Sequence, residues 1–224
     1  RSFNTICGQY EFIRNLIFKS TFSYDYTNTK GSEWSDPRTS NGDDINGGLT
    51  RVAQEYKKMV WANQLSYRFD IADDHHFDAL IGYEIDDQYS DYISASASNF
   101  ATPDKHVMSN GMTVEAVGGS DTRTRMVSYI SRLNYDYKNR YYLGGSFRTD
   151  GSSRLHKDNR WGNFWSVSAA YRIIEEPFMA EAKNWLSDLK FRVSYGVNGT
   201  LPSDYYGYMG LSSLNVGFIG EPGI

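Results

Sequence analysis

A period-two alternation with two unlike faces restricts this chain more than any other feature. In "WSVSAAYRI" the residues Trp165, Val167, Ala169, Tyr171 and Ile173 share one face, while Ser166, Ser168, Ala170 and Arg172 share the other. "LKFRVSYGV" repeats the pattern: Leu189, Phe191, Val193, Tyr195 and Val197 alternate with Lys190, Arg192, Ser194 and Gly196. Successive side chains of an extended strand point to opposite faces, so these runs read as strands with one apolar and one polar surface. The same test predicts strands at about 3–12, 16–28, 57–69, 76–90, 125–137, 141–150, 164–174 and 188–197. On them Lys19, Asp25, Arg68, Asp78, Glu84, Arg132 and Arg148 all fall on the non-aromatic face. The prolines, Pro37, Pro103, Pro177, Pro202 and Pro222, lie outside these strands, because proline cannot donate to a ladder.

The connections alternate in length. Short links at 13–15, 70–75 and 138–140 interleave with long ones at 29–56, 91–124 and 151–163. The segment 175–187, "EEPFMAEAKNWLS", predicts one or two helical turns with Pro177 near the start. Antiparallel neighbours joined in this way form an up-and-down meander with short turns at one rim and long loops at the other.

Alternation alone does not say whether the apolar face meets a protein core or lipid, so a soluble β-sandwich and a membrane barrel compete. Three features favour the barrel. The strands run to about 10–15 residues, near or above the ~9–11 that cross a bilayer. Aromatic residues cluster near both ends of the apolar faces: Tyr67, Phe69, Phe77, Tyr135, Tyr137 and Tyr141 by the short turns, and Trp61, Tyr83, Tyr129, Phe147 and Trp165 by the long loops. Between them lie Leu133, Leu143, Val167 and Ala169, an aliphatic band flanked by aromatic girdles. The one-sided loop lengths are the third.

Composition fits. Tyr, Phe and Trp make up 16% of the chain, and tyrosine suits surfaces that are apolar at one end and wet at the other. A formal charge of -4 gives no footing for nucleic acid. Lone Cys7 excludes an intramolecular disulfide and a cysteine-rich metal site. Mean hydropathy is negative, which a barrel with a wet lumen also shows. No apolar run is long enough for a transmembrane helix. The chain starts at Arg1, already alternating and with neither an initiator Met nor a signal peptide, as expected of a piece of something longer or a processed product.

"YDYKNRYYLGGSFRTDGSSR" (135–154), "DNRWGNFWSVSAAYRI" (158–173) and "WLSDLKFRVSYGVNGT" (185–200) resemble the barrel region of SusC/RagA-type TonB-dependent outer-membrane transporters of Bacteroidetes. "LIFKSTFSYDY", "SDPRTSNGDD", "WANQLSYRFDIADDHHFDALIGYE" and "SASASNFATPD" are similar to earlier hairpins of that family, in family order. The resemblance implies an all-β arc of about eight strands from a 22-stranded barrel, ending at "GEPGI" in an external loop. It implies that 1–224 is a partial barrel domain without the plug, signal peptide or TonB box, although eight strands are also enough to close a small barrel on their own. The implied activity is import of oligosaccharides or peptides, with a SusD-like surface lipoprotein, a TonB-ExbB-ExbD complex, the N-terminal plug and outer-membrane lipid as partners. No enzyme activity, catalytic residue, cofactor or metal follows from it. The rival reading is a secreted β-sandwich that binds carbohydrate through its aromatics.

The best functional candidates are the loop aromatics Trp34, Tyr89, Tyr92, Trp161, Tyr205, Tyr206 and Tyr208, whose planar faces suit sugar rings or a lid. Packing of loops on one another is the competing role. Arg148, Arg172 and Arg192 line the polar face, where they contact solute or plug, or serve as ordinary lumen charge. His75 and His76 sit among Asp73, Asp74 and Asp78, but adjacent residues on a strand point apart, so a solvated turn is favoured over a metal site. Asp150, Ser152, Ser153 and Arg154, with His156, lack the setting of a nucleophile and read as the opening of a loop. Gly144-Gly145 reads as a place for bending or close packing rather than for phosphate, and Asp43-Asp44 and Asp86-Asp87 read as solvated charge rather than calcium ligands. No carboxylate pair suits glycoside cleavage.

Overall fold

The computed structural model describes residues 1–209, 216–218 and 221–223. Eight strands, β1 (Ser2–Ile13), β2 (Leu16–Ser35), β3 (Gly48–Ile71), β4 (His75–Phe100), β5 (Gly111–Tyr137), β6 (Tyr141–Ser152), β7 (Trp161–Arg172) and β8 (Lys190–Val197), form one sheet in the order β1 to β8. Each neighbour in the sheet is the neighbour in sequence, so the meander holds. Among the described residues the Greek-key crossing that characterises a sandwich does not occur. β9 (Val216–Phe218) and β10 (Glu221–Gly223) make a separate short pair, and the remainder of "GEPGI" lies outside the described residues.

The strands are longer than alternation predicts. β2 to β5 run for 20, 24, 26 and 27 residues, and the expected loops 29–56, 91–124 and 151–163 shrink to residues 36–47, 101–110 and 153–160. The added stretches, such as "NTKGSEWS" and "TVEAVGGSDT", are extended but carry polar or small residues on both faces. They show no two-face contrast and therefore no sequence signal of strand. In β7 the start moves back to Trp161, and its indole lies over Gly151, its partner across the ladder, where a side chain would collide. The link after β7 is three successive 3-10 turns, Ile173–Glu175, Pro177–Met179 and Glu181–Asn184, in place of one or two helical turns. Lys183 hydrogen-bonds Glu175 there at 2.9 Å and holds its carboxyl below the usual range.

The short turns are specified locally. Between Tyr137 and Tyr141, which face each other across the ladder, Lys138 and Asn139 both take positive φ, the backbone that matches the twist of flanking strands. The Asp136 carboxylate accepts the Asn139 N–H at 2.8 Å and fixes the bend.

The chain divides into two compact units. One comprises Arg1–Thr5, Ser23–Met59 and Asp87–Arg123; the other comprises Ile6–Phe22, Val60–Asp86 and the residues from Thr124 onward. The first has a buried core of Leu49, Ala97 and Phe100, closed by Trp34 and Met108. Its turn over 36–47 is held by the Asp36 carboxylate, which accepts from Arg38 N and from the Arg38 guanidinium. Gly47 has φ +84, and a side chain on Gly42 would strike the Asp36 carbonyl, so both positions require glycine.

The second unit has the opposite character. Leu133, Leu143, Val167 and Val193 share one face and are each half exposed or more, from 50 to 56%. Among the described residues no protein layer covers this aliphatic band. Aromatic rings border it at the short-turn end, with centroids 4.9 Å apart for Phe69–Phe77 and for Phe77–Tyr135, and 5.0 Å for Tyr141–Tyr171. A second row, Tyr83–Tyr129 at 5.2 Å and Trp165–Tyr195 at 5.8 Å, borders the other end. The polar face carries the charges, shown by the ion pairs Arg68–Asp78, Arg132–Asp78 and Arg148–Glu84.

If that band meets lipid, Val167→Arg will cost folding into vesicles ~2–4 kcal/mol, and Ser166→Arg, one residue earlier, will cost clearly less. Urea titration of the barrel in lipid measures both, and the reverse order would invert the assignment of faces.

Candidate functional site

Cross-strand register brings distant charges of the polar face together. β6 pairs with β5 so that Arg132 faces Ser146 and Asn134 faces Gly144, and β7 places Ala170 beside both Tyr142 and Arg192. Two clusters result.

The first lies toward the short turns. Arg68 donates to Asp78 at 2.9 Å, Arg132 stands 3.6 Å from the same carboxylate, and Asn134 donates to it at 3.5 Å. Beside them a groove of about 700 Å³ is lined by Arg68, Asp78, Asn134, Tyr142, Lys190 and Arg192, among others. The Lys190 ammonium sits 3.7 Å from the centre of the Tyr142 ring, a cation over a π face. The second cluster centres on Arg148, whose Nε reaches both oxygens of Asp150 at 2.6 and 2.9 Å. Its Nη2 donates to Ser128 Oγ at 3.0 Å and lies 3.8 Å from Glu84.

The three candidate arginines thus differ. Arg148 is already balanced by two carboxylates, and Arg172 donates to Asp188 at 3.0 Å. Arg192 is exposed and has neither hydrogen bond nor ion pair among the described residues. Sequence alone treats them alike because all three occupy the same parity; what separates them is the carboxylate within reach, Asp150 two residues along the strand for Arg148 and Asp188 just before β8 for Arg172.

The candidate aromatics also separate. Trp34, Tyr89, Tyr92 and Trp161 lie on strands, not in loops, because the strands extend past the alternating region. Trp34 stacks on His106 at 4.1 Å and meets Phe100 edge-on at 4.8 Å, so its ring closes the core of its own unit. Tyr89 lies under the Lys57 ammonium at 5.8 Å, and Tyr92 is exposed. Trp161 stacks near Tyr129 at 6.0 Å on the aromatic face. Tyr205 lies in the irregular segment after β8 with the Arg154 guanidinium 4.2 Å above it, and Tyr208 meets His156 edge-on. Tyr206 accepts a backbone hydrogen bond from Met209.

The histidines point apart, as their parity requires. His75 Nδ1 lies 2.7 Å from the Tyr135 hydroxyl, and His76 Nδ1 lies 2.6 Å from Asp70. Among the described residues no group of three or more His, Cys, Asp or Glu is arranged to hold a metal. Asp87 receives a two-pronged contact from Arg123 at 2.9 and 2.7 Å, which occupies its oxygens.

No family model matches the chain. It is 30% identical over 200 residues to TonB-dependent receptor P26 of Formosa agariphila, covering 87% of this chain and 20% of that protein. It is 45% identical over 95 residues to TonB-dependent receptor SusC of Bacteroides thetaiotaomicron, covering 42% of this chain and 9% of SusC. In three dimensions it aligns with the RagAB peptide transporter over 99% of its length, with a TM-score of 0.90 and 27% identity, against 25% of that chain. The chain belongs to the TonB-dependent receptors. It is a barrel segment of the SusC/RagA type, and it spans about a fifth of the length of receptor P26. In such a receptor the apolar face with its girdles is the lipid side, and the face bearing Arg68, Asp78, Arg132 and Arg148 is the lumen side.

Two substitutions separate the roles of the lumen arginines. Arg148→Ala leaves Asp150 and Glu84 without their shared cation and is expected to cost about 1 kcal/mol of stability. Arg192→Ala breaks nothing within the sheet and should stay within about 0.5 kcal/mol of the parent. Urea unfolding of the two variants in lipid vesicles measures the difference.

Proposed function

We propose that this segment is wall and external-loop structure of an outer-membrane importer for oligosaccharides or peptides. The observation that carries the reading is the alignment of 99% of the chain with the RagAB peptide transporter at a TM-score of 0.90. The uncovered aliphatic band between two aromatic rows supports it, because that surface is stable only against lipid. In this reading residues 1–224 are part of the barrel domain, crossing the outer membrane of a Gram-negative cell strand by strand. The plug belongs to the same receptor. A SusD-like surface lipoprotein captures solute at the outer rim, and the TonB-ExbB-ExbD complex supplies the energy.

The segment makes and breaks no bond. Its contribution is to present charge and aromatic surface along a wet path. Lys190 and Arg192 are cations of the polar face that line the groove and have no ion pair among the described residues, so they are available to plug or anionic solute. Tyr89, Tyr92 and Tyr205 are the candidate ring contacts for solute, whereas Trp34 and Trp161 act structurally.

The test is fractionation of the cell that makes the receptor, followed by removal of detergent from the purified protein. Recovery from the outer membrane, with a heat-sensitive shift in electrophoretic mobility and loss of folded protein without detergent, is expected. A folded monomer in plain buffer would overturn the proposal. Deleting the receptor gene should abolish growth on its nutrient, and comparing glycan with peptide as sole source decides the class of solute.

A further inference from the structure

We infer that the open edge of β5 between Met112 and Thr122 is a docking strand for an extended, basic segment of the partner lipoprotein; this rests on the reading of the protein as a lipoprotein-capped importer. β5 is 27 residues long, but β6 pairs with it only from Tyr137 back to Met126, where the ladder ends at Ser152. One further backbone bond, Ser153 N–H to Arg125 carbonyl, closes the pairing at 2.9 Å. On the other side β5 is hydrogen-bonded to β4, and side chains cross that junction at Asp87–Arg123 and at Ser98–Glu115. From Met112 to Asp121 every residue is exposed. Met112, Val114 and Val117 show 66, 72 and 72% of their surface.

Among the described residues this edge lacks the usual protections. Sheet edges are normally guarded by lysine, proline or a covering element, since a row of free N–H and C=O groups is a template for another chain. "MTVEAVGGSDT" contains no Lys, Arg or Pro, and the Glu115 carboxylate is engaged by the Ser98 hydroxyl. Gly118 and Gly119 place two residues without side chains at the middle, where a second backbone approaches freely. A row of backbone groups of this kind is met by an added strand, with main-chain bonds supplying affinity and alternate side chains supplying specificity.

Charge defines the occupant. The paired stretches 88–100 and 111–122 contain Asp91, Glu115 and Asp121 and no Lys, Arg or His. An incoming strand therefore matches this edge when it carries Lys or Arg beside apolar residues that meet Met112, Val114 and Val117.

The experiment is amide hydrogen exchange on the full-length receptor, alone and assembled with its lipoprotein, after outer-membrane fractionation has established the barrel separately. The alternate amides of 112–120 that point away from β4 are expected to exchange about tenfold or more slowly in the assembly than in the receptor alone. Equal exchange in the two states, with the lipoprotein bound, overturns the inference and leaves the importer reading intact. Slow exchange in the receptor alone overturns it as well, since the receptor's own chain would then cover the edge. Protection that appears on adding peptide without lipoprotein also overturns it, in favour of a solute contact. Val114→Lys combined with Asp121→Lys should weaken co-purification of the lipoprotein severalfold at unchanged heat-sensitive mobility, and unaltered co-purification counts against the inference.

Discussion

Antiparallel backbone pairing under two unlike solvents governs this structure. Where one face of a sheet meets hydrocarbon, no water is at hand for the peptide groups, so each must bond to a neighbouring strand. The consecutive order β1 to β8 satisfies that demand through seven adjacent pairings without a crossover. The register then fixes which side chain meets which solvent, because a slip of one residue in β5, β6 or β8 would carry that strand's arginine, Arg132, Arg148 or Arg192, to the lipid side. The Asp136-held turn at 138–140 is one of the local devices that set it.

The two units follow from which solvent each stretch of strand meets. In the unit that includes Thr124–Val197, the hydrophobic side chains need no partner within the protein, and Leu143 or Val167 can stay half exposed. In the unit containing Ser23–Met59 and Asp87–Arg123 a small core forms, while Ile93, Met112, Val114 and Val117 stay half exposed or more. Leu49, Ala97 and Phe100 are nearly inaccessible, and Trp34 is used as a lid over them. What this unit adds is a small closed core beside residues that stay exposed.

That division also explains what was legible in the sequence. The strands around Val167, Leu133 and Tyr195 could be read because lipid and lumen impose a sharp contrast between alternate positions. The aromatic rows and the charge of the polar face followed from the same parity. The extensions of β2 to β5 could not be read in this way. "ISASASNF" alternates only between small residues, though Ala97 and Ser98 are both buried. A run of small residues beside an aromatic, here Phe100, is the available signal of close packing, and it marks the core that Trp34 closes. Trp34 itself looked like a sugar platform because an isolated loop tryptophan and a lid tryptophan have the same immediate sequence. His106, which stacks on it, lies 72 positions away in the chain.

The charges of the polar face carry the last step. A wet wall that only had to be soluble would leave its cations free, since water solvates them at little cost. Arg148 instead holds Asp150 in two-pronged contact with Ser128 and Glu84 beside it, and Arg68 and Arg132 share Asp78. Such networks lock side chains that would otherwise sweep the lumen, and they hold the local field near neutrality. Against that background Lys190 and Arg192 stand out on β8, one lodged over Tyr142 and the other without a partner among the described residues. The groove near the short turns mixes the two signs, with Arg68, Lys190 and Arg192 set beside Asp70, Asp78 and Asp136. The groove is thus near balance in number of charges, and its character comes from how they are held: Arg68 is tied to Asp78, while Lys190 rests on a ring and stays available to a newcomer.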